Sequence, residues 1–92
     1  LSINCLISSI DIKQFENCRY LIKEISLLLK NELNYYEQTV FLYAQGYFDF
    51  YHDVNAGKST MQQALQVFEI LGEKNTYEYY LNHFSKNIEK RT

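Results

Sequence analysis

A stripe of small and apolar residues recurs after 39 residues: Cys18, Ile22, Ile25 and Leu28 return as Gly57, Met61, Ala64 and Val67. Offsets of four, seven and ten place each set on one face of a helix. Each set follows another helical stretch that ends in a short polar break. One hairpin cannot bury such a stripe alone, so the pattern predicts helical hairpins stacked on copies of themselves. A stack of this kind presents surface, which points to recognition of a partner rather than to chemistry.

Composition agrees with helices. The 92 residues include no Pro and three Gly, 47% are hydrophobic and 16% aromatic. Breakers are too scarce for a sheet with tight turns, and the apolar content is too high for a disordered segment. The formal charge is −2 with a pI near 5.6, and Lys and Arg are dispersed along the chain. Phosphate contacts supply most non-specific nucleic-acid affinity, so these residues by themselves are not expected to hold DNA. Cys5 and Cys18 occupy small-residue slots on helical faces and read as buried thiols rather than metal ligands or a disulfide. No signal peptide or membrane-length apolar run is visible, which places the chain in the cytoplasm. The sequence begins at Leu1 without Met and already in helical periodicity, so residues 1–92 read as the C-terminal fragment of a longer helical repeat domain.

Five helices are expected. Ile3, Leu6, Ile7 and Ile10 mark the first, and Asp11 with Gln14 reads as the capping box of a second that runs from Ile12 to Lys30. After a break at residues 31–34, Asn34 and Glu37 open a third helix that reaches Tyr51. Val40, Phe41, Ala44, Tyr47 and Phe48 follow its stripe while Leu42, Tyr43 and Phe50 lie off it, so it must be covered on more than one side. A polar turn at residues 52–55 precedes a fourth helix from Gly57 to Leu71, closed by Gly72 in the favoured position after a helix. Asn75 and Glu78 open the fifth, whose end carries Lys86, Lys90 and Arg91 where positive charge suits the helix dipole.

Phe41, Ala44, Phe48, Gly57, Met61 and Ala64, with Cys5, Cys18, Ile22 and Ile25 in the first unit, resemble tetratricopeptide repeats, although the 39-residue period departs from the standard 34. The implied fold is all-α: tetratricopeptide-like antiparallel hairpins in a right-handed stack. Further, the segment Phe41-Leu-Tyr-Ala-Gln-Gly-Tyr47, then Met61-Gln-Gln-Ala-Leu-Gln-Val-Phe-Glu-Ile-Leu-Gly72 and an aromatic last helix, is similar to the C-terminal end of the Rgg/GadR/MutR transcriptional regulators of Gram-positive bacteria. That resemblance implies a peptide-sensing and dimerising domain of a quorum-sensing regulator. Its partners would be a short signalling peptide and a second copy, with DNA reached only through an N-terminal domain absent from these residues. A PlcR-like sensor is the runner-up within the group. The alternative outside it is a tetratricopeptide-like scaffold that docks a protein without signalling.

In a repeat stack, the first helix of each pair lines the groove. Residues off its packing stripe are Thr39, Leu42, Gly46, Asp49 and Phe50 on the third helix, and Ile3, Ile7 and neighbouring Asn4 on the first. Gly46 would leave room for an approaching backbone, and Thr39, Asn4 and Asp49 could bond the amides of an extended peptide. The predicted peptide-binding set is therefore Asn4, Ile7, Thr39, Leu42, Gly46, Asp49 and Phe50. The many tyrosines read mainly as core, since aromatic stripes at helical spacing usually pack. Gly57-Lys58-Ser59-Thr60 spells the end of a P-loop without the strand or first glycine that a phosphate cradle needs. Asp49, His52 and Asp53 make too sparse a metal set, and His83 has no neighbour in sequence to form a dyad. No cofactor, metal or catalytic activity is expected.

Overall fold

The computed structural model describes the backbone of residues 2–29 and 34–89, and side chains at residues 6–27 and 34–89. Within them lie five helices: α1 Ser2–Asp11, α2 Phe15–Leu29, α3 Tyr35–Phe50, α4 Val54–Ile70 and α5 Lys74–Asn87. There is no strand among the described residues. Helices α1 and α2 form one antiparallel hairpin, α3 and α4 a second, and α5 lies on α4. The assembly is a slab of 33 × 32 × 19 Å. The expected break at residues 31–33, together with Lys30, Lys90 and Arg91, lies outside the described residues.

Local chemistry sets most helix ends. The Asn34 side chain accepts the Glu37 N–H at 2.8 Å and the Glu37 carboxylate accepts the Asn34 N–H at 3.5 Å, the expected capping box. Helix α4 begins three residues before Gly57, because the Asp53 carboxylate accepts the Ala56 N–H at 3.1 Å and nucleates the first turn. At its other end, Gly72 has φ +74°. The Glu73 N–H reaches the Phe68 carbonyl at 3.0 Å and the Gly72 N–H reaches Glu69 at 3.1 Å, closing the helix in a Schellman motif. Helix α5 starts at Lys74 behind Glu73, so Asn75 falls inside the first turn and is not its cap.

The junction between α1 and α2 corrects the expected capping role of Asp11. That residue is the last of α1, which also ends in a Schellman motif: the Gln14 N–H bonds the Ser9 carbonyl and the Lys13 N–H bonds Ile10, both at 2.9 Å. The Gln14 carbonyl then accepts the first bond of α2 from Cys18 at 3.1 Å. Lys13 holds φ 61° in this motif. A left-handed backbone costs an L side chain about 1 kcal/mol, part of which glycine loses again through its freedom in the unfolded chain. Lys13→Gly is therefore expected to raise stability by about 0.5 kcal/mol, measurable as a higher urea midpoint at unchanged m-value. A lower midpoint would contradict the left-handed turn.

The repeated stripe forms the core. Cys18, Ile25, Gly57, Met61 and Ala64 are buried, while Ile22 and Val67 are half-buried at its margin; the Leu28 side chain lies outside the described residues. Phe41, Tyr43, Ala44 and Tyr47 of α3 are also buried, as are Phe68 of α4, Leu6 and Ile10 of α1, and Phe84 and Tyr80 of α5. Helix α3 touches α1, α2 and α4 directly, and reaches α5 through Tyr43, whose ring lies 4.8 Å from that of Tyr80. It is the central element, as its aromatic content requires.

Candidate functional site

One strip of α3 escapes this burial. Tyr35, Gln38, Leu42, Gln45 and Asp49 follow one another at intervals of three or four, which places them on a single face. All are half-buried or exposed, whereas every other position from Val40 to Phe50 is buried. The strip floors a shallow cleft of about 310 Å³ lined by Tyr35, Gln38, Thr39, Phe41, Leu42 and Gln45. Tyr43 and Tyr47 point to the opposite side of the helix, so the cleft is separate from the junction of α3 with α1 and α5.

The residues expected to bind peptide do not all meet here. Thr39 and Leu42 line the cleft, although the Thr39 hydroxyl donates to the Tyr35 carbonyl at 2.7 Å and is engaged within its own helix. Asp49 is exposed one turn beyond Gln45 on the same face. Gly46 and Phe50 are buried beneath α4 instead. A Cβ on Gly46 would stand 2.9 Å from the Met61 nitrogen and 3.0 Å from the Gly57 carbonyl oxygen, so α4 already fills the room reserved for a guest backbone. Ile7 is half-buried against the core, and the side chain of Asn4 lies outside the described residues. Spacing alone named the Gly46 face as open because it cannot say on which side a neighbouring helix crosses. Gln38 and Gln45 were missed, although their offsets of four and three from Leu42 were available as a signal.

His83 also departs from expectation. Its Nε2 lies 3.5 Å from Asp11 Oδ1 and its Nδ1 lies 2.7 Å from the Tyr43 hydroxyl. The Tyr47 hydroxyl donates to the same Asp11 oxygen at 2.5 Å. The Asp11 carboxylate favours the Nε2–H tautomer, so Nδ1 accepts from Tyr43. A Tyr–His–Asp cluster is thus assembled from α3, α5 and α1, hydrogen-bonded at Nδ1 and with the carboxylate 3.5 Å from Nε2. Tyr43 and Tyr47 are essentially unexposed, and burial pushes both phenols far above their ordinary range. Burial likewise raises Tyr80 to about 12 and raises the Cys18 thiol, the direction opposite to activation as a nucleophile.

Burial holds the His83 imidazole below its ordinary value, against an opposing pull from Asp11. The unfolded chain then binds this proton more readily than the folded one. The contribution to stability is complete above the unfolded value of about 6.5 and is lost as pH falls from there toward the folded value. Urea unfolding is expected to give a lower midpoint at pH 5.5 than at pH 7.5, with His83→Gln flattening the difference. A midpoint that rises on acidification would contradict this environment.

Two further expectations meet the geometry. Gly57, Lys58, Ser59 and Thr60 lie inside α4, where their backbone is helical and no phosphate loop exists. Asp53 caps α4, and His52 Nδ1 lies 3.2 Å from the Phe48 carbonyl. Of the nine tyrosines, Tyr43, Tyr47 and Tyr80 are core, Tyr51 and Tyr77 are half-buried, and Tyr20, Tyr35, Tyr36 and Tyr79 are exposed. No helix among the described residues is long and apolar enough to cross a membrane.

Residues 1–82 match the family described as "HTH-type transcriptional regulator Rgg, C-terminal domain". The crystal structure of a cysteine-to-serine variant of the SHP pheromone receptor Rgg2 of Streptococcus dysgalactiae is 49% identical over 95% of this chain and 32% of that one, with a TM-score of 0.89. A second crystal structure, of the Streptococcus dysgalactiae SHP pheromone receptor Rgg2, is 50% identical over 92% of this chain and 32% of that one, with a TM-score of 0.87. The chain spans about a third of the length of these receptors. No curated protein matches it.

Proposed function

The chain belongs to the C-terminal domain family of Rgg helix-turn-helix transcriptional regulators, and we propose that it serves a bacterial regulator of this kind as part of a peptide-sensing and dimerising domain. The supporting observation is the open strip of α3: a helix buried on its other sides leaves one cleft-forming face uncovered. Leu42 offers an apolar anchor there. The side-chain amides of Gln38 and Gln45 can both donate to and accept from an extended backbone, whose own groups need partners on burial. Asp49 adds an acceptor at one end. The ligand class is a short peptide pheromone, by analogy with the SHP pheromone of the similar receptors.

Signalling requires the peptide to bind two arrangements of the regulator with different affinity. DNA would be contacted by a separate domain in the cytoplasm, in keeping with the acidic balance of this chain. Exposed Ile70, Leu71, Tyr79 and Leu81 supply apolar surface for a homodimer. Neither a catalytic role nor a cofactor enters this reading. It is tested by fluorescence anisotropy of labelled synthetic SHP pheromone on the intact regulator. Leu42→Ala combined with Asp49→Ala is expected to weaken binding about tenfold, which is about 1.4 kcal/mol. Unchanged affinity would remove the α3 face from the site.

A further inference from the structure

His83 stands where three helices meet, and its two ring nitrogens are served unequally. Nδ1 accepts from the Tyr43 hydroxyl at 2.7 Å, while Nε2 is buried without a hydrogen-bond partner among the described residues, 3.5 Å from Asp11 Oδ1. The Tyr43 hydroxyl has a second acceptor in reach, the Tyr80 carbonyl at 3.4 Å. One hydroxyl proton therefore faces two acceptors, and only one can hold it well. Tyr47 from α3 stands perpendicular to the imidazole, 4.7 Å between ring centres, and donates its hydroxyl proton to Asp11. On α5 itself, Tyr79, Asn82, Lys86 and Asn87 share with His83 a cleft of about 320 Å³, to which α4 contributes none of the described residues. Lys86 opposes a second positive charge there and Asp11 favours one. The His83 side chain is 14% exposed, enough to admit a proton from solvent.

We propose that this junction is a proton switch: when Nδ1 takes a proton from solvent, the Tyr43 hydroxyl turns to donate to the Tyr80 carbonyl and accepts the new Nδ1–H, and the imidazolium draws the Asp11 carboxylate onto Nε2. Both protonation states are then hydrogen-bonded, which a hydroxyl permits because it donates and accepts at once. The neutral ring leaves its Nε2–H unanswered. The charged ring turns the 3.5 Å approach of Asp11 into an ion pair with a charge-assisted hydrogen bond. For the fold this is a second tie: the imidazole holds α5 to α3 in the neutral state, and to both α3 and α1 in the charged one. Histidine is the side chain whose ordinary range brings such a change near neutral pH. The switch goes beyond pheromone sensing and does not depend on it.

NMR of the intact protein, isotope-labelled at His ring nitrogens and Tyr carbonyl carbons, tests the switch on acidification from neutral pH, with signals assigned by their loss in His83→Gln and Tyr80→Phe. The neutral ring is expected as the Nε2–H tautomer, and the Tyr80 carbonyl is expected to shift with the same midpoint as the ring. In Tyr43→Phe the ring still titrates while the Tyr80 carbonyl stays still. Asp11→Asn keeps the shape of a side chain that is 45% exposed and is expected to lower the midpoint by about 1 pH unit, a tenfold loss of proton affinity. A neutral ring protonated on Nδ1 overturns the proposal, as does a Tyr80 carbonyl that ignores the titration or follows it equally in Tyr43→Phe. An Asp11→Asn midpoint that is unchanged or raised does so too. So does a ring that stays neutral until the chain unfolds, which circular dichroism at each pH detects.

Discussion

Gly57→Ala is expected to destabilise the protein by about 3 kcal/mol, lowering its melting temperature by on the order of 15 °C in a domain of this size. The new Cβ would fall on the amide nitrogen and Cα of Phe50 and within 2.6 Å of the Gly46 carbonyl oxygen. All three are backbone atoms, so no side chain can swing aside and the two helices must separate along their closest approach. Separation would loosen Met61, Ala64 and Phe68, which are fully buried on α4. Gly46→Ala meets Met61 Cγ at 3.0 Å as well as backbone, and part of that contact can relax; its expected effect is smaller. Gly72→Ala has open space around it and strains only the left-handed backbone, for about 1 kcal/mol. Scanning calorimetry of the three variants should rank them Gly57, Gly46, Gly72. A Gly57→Ala protein that melts within a degree or two of the parent would show that α3 and α4 do not cross at these glycines.

Tyr43→Phe is expected to cost about 2 kcal/mol, although the ring and its packing are kept. The lost hydroxyl bonds His83 Nδ1 at 2.7 Å and lies 3.4 Å from the Tyr80 carbonyl. Without it, a partly buried ring nitrogen loses its donor. Replacing both polar partners together removes that penalty, so Tyr43→Phe combined with His83→Leu should be less destabilising than the sum of the single changes. Urea unfolding of the four proteins measures this coupling. Strict additivity would contradict the hydrogen bond between α3 and α5.

Features that depend on neighbours within one turn were legible in the amino-acid order. The Asn34–Glu37 capping box and the closing glycine at position 72 are local chemistry, and the stripe from Gly57 to Ala64 is periodicity alone. Asp11 looked like a cap for the same reason. Its carboxylate is instead held by Tyr47 from α3, and the chain leaves α1 through a left-handed Lys13 that no local rule favours. His83 looked solitary because its partners lie far away in sequence, on α1 and α3. For the candidate site, spacing put Leu42, Asp49 and Thr39 off the packing stripe; Leu42 and Asp49 are uncovered, whereas Thr39 is buried with its hydroxyl bonded to Tyr35. It misplaced Gly46 and Phe50, because a small residue that admits a guest chain and one that admits a neighbouring helix are written alike. Only the crossing of α4 over Gly46 separates the two cases.

The open strip of α3 as a peptide-contact face is most directly tested by NMR of the intact regulator, isotope-labelled at Leu methyls and Gln side-chain amides, during titration with synthetic SHP pheromone. The account predicts shifts at Leu42, Gln38 and Gln45, with Leu65 in the core of α4 unmoved. Saturating pheromone that leaves Leu42, Gln38 and Gln45 silent while perturbing residues elsewhere would contradict it.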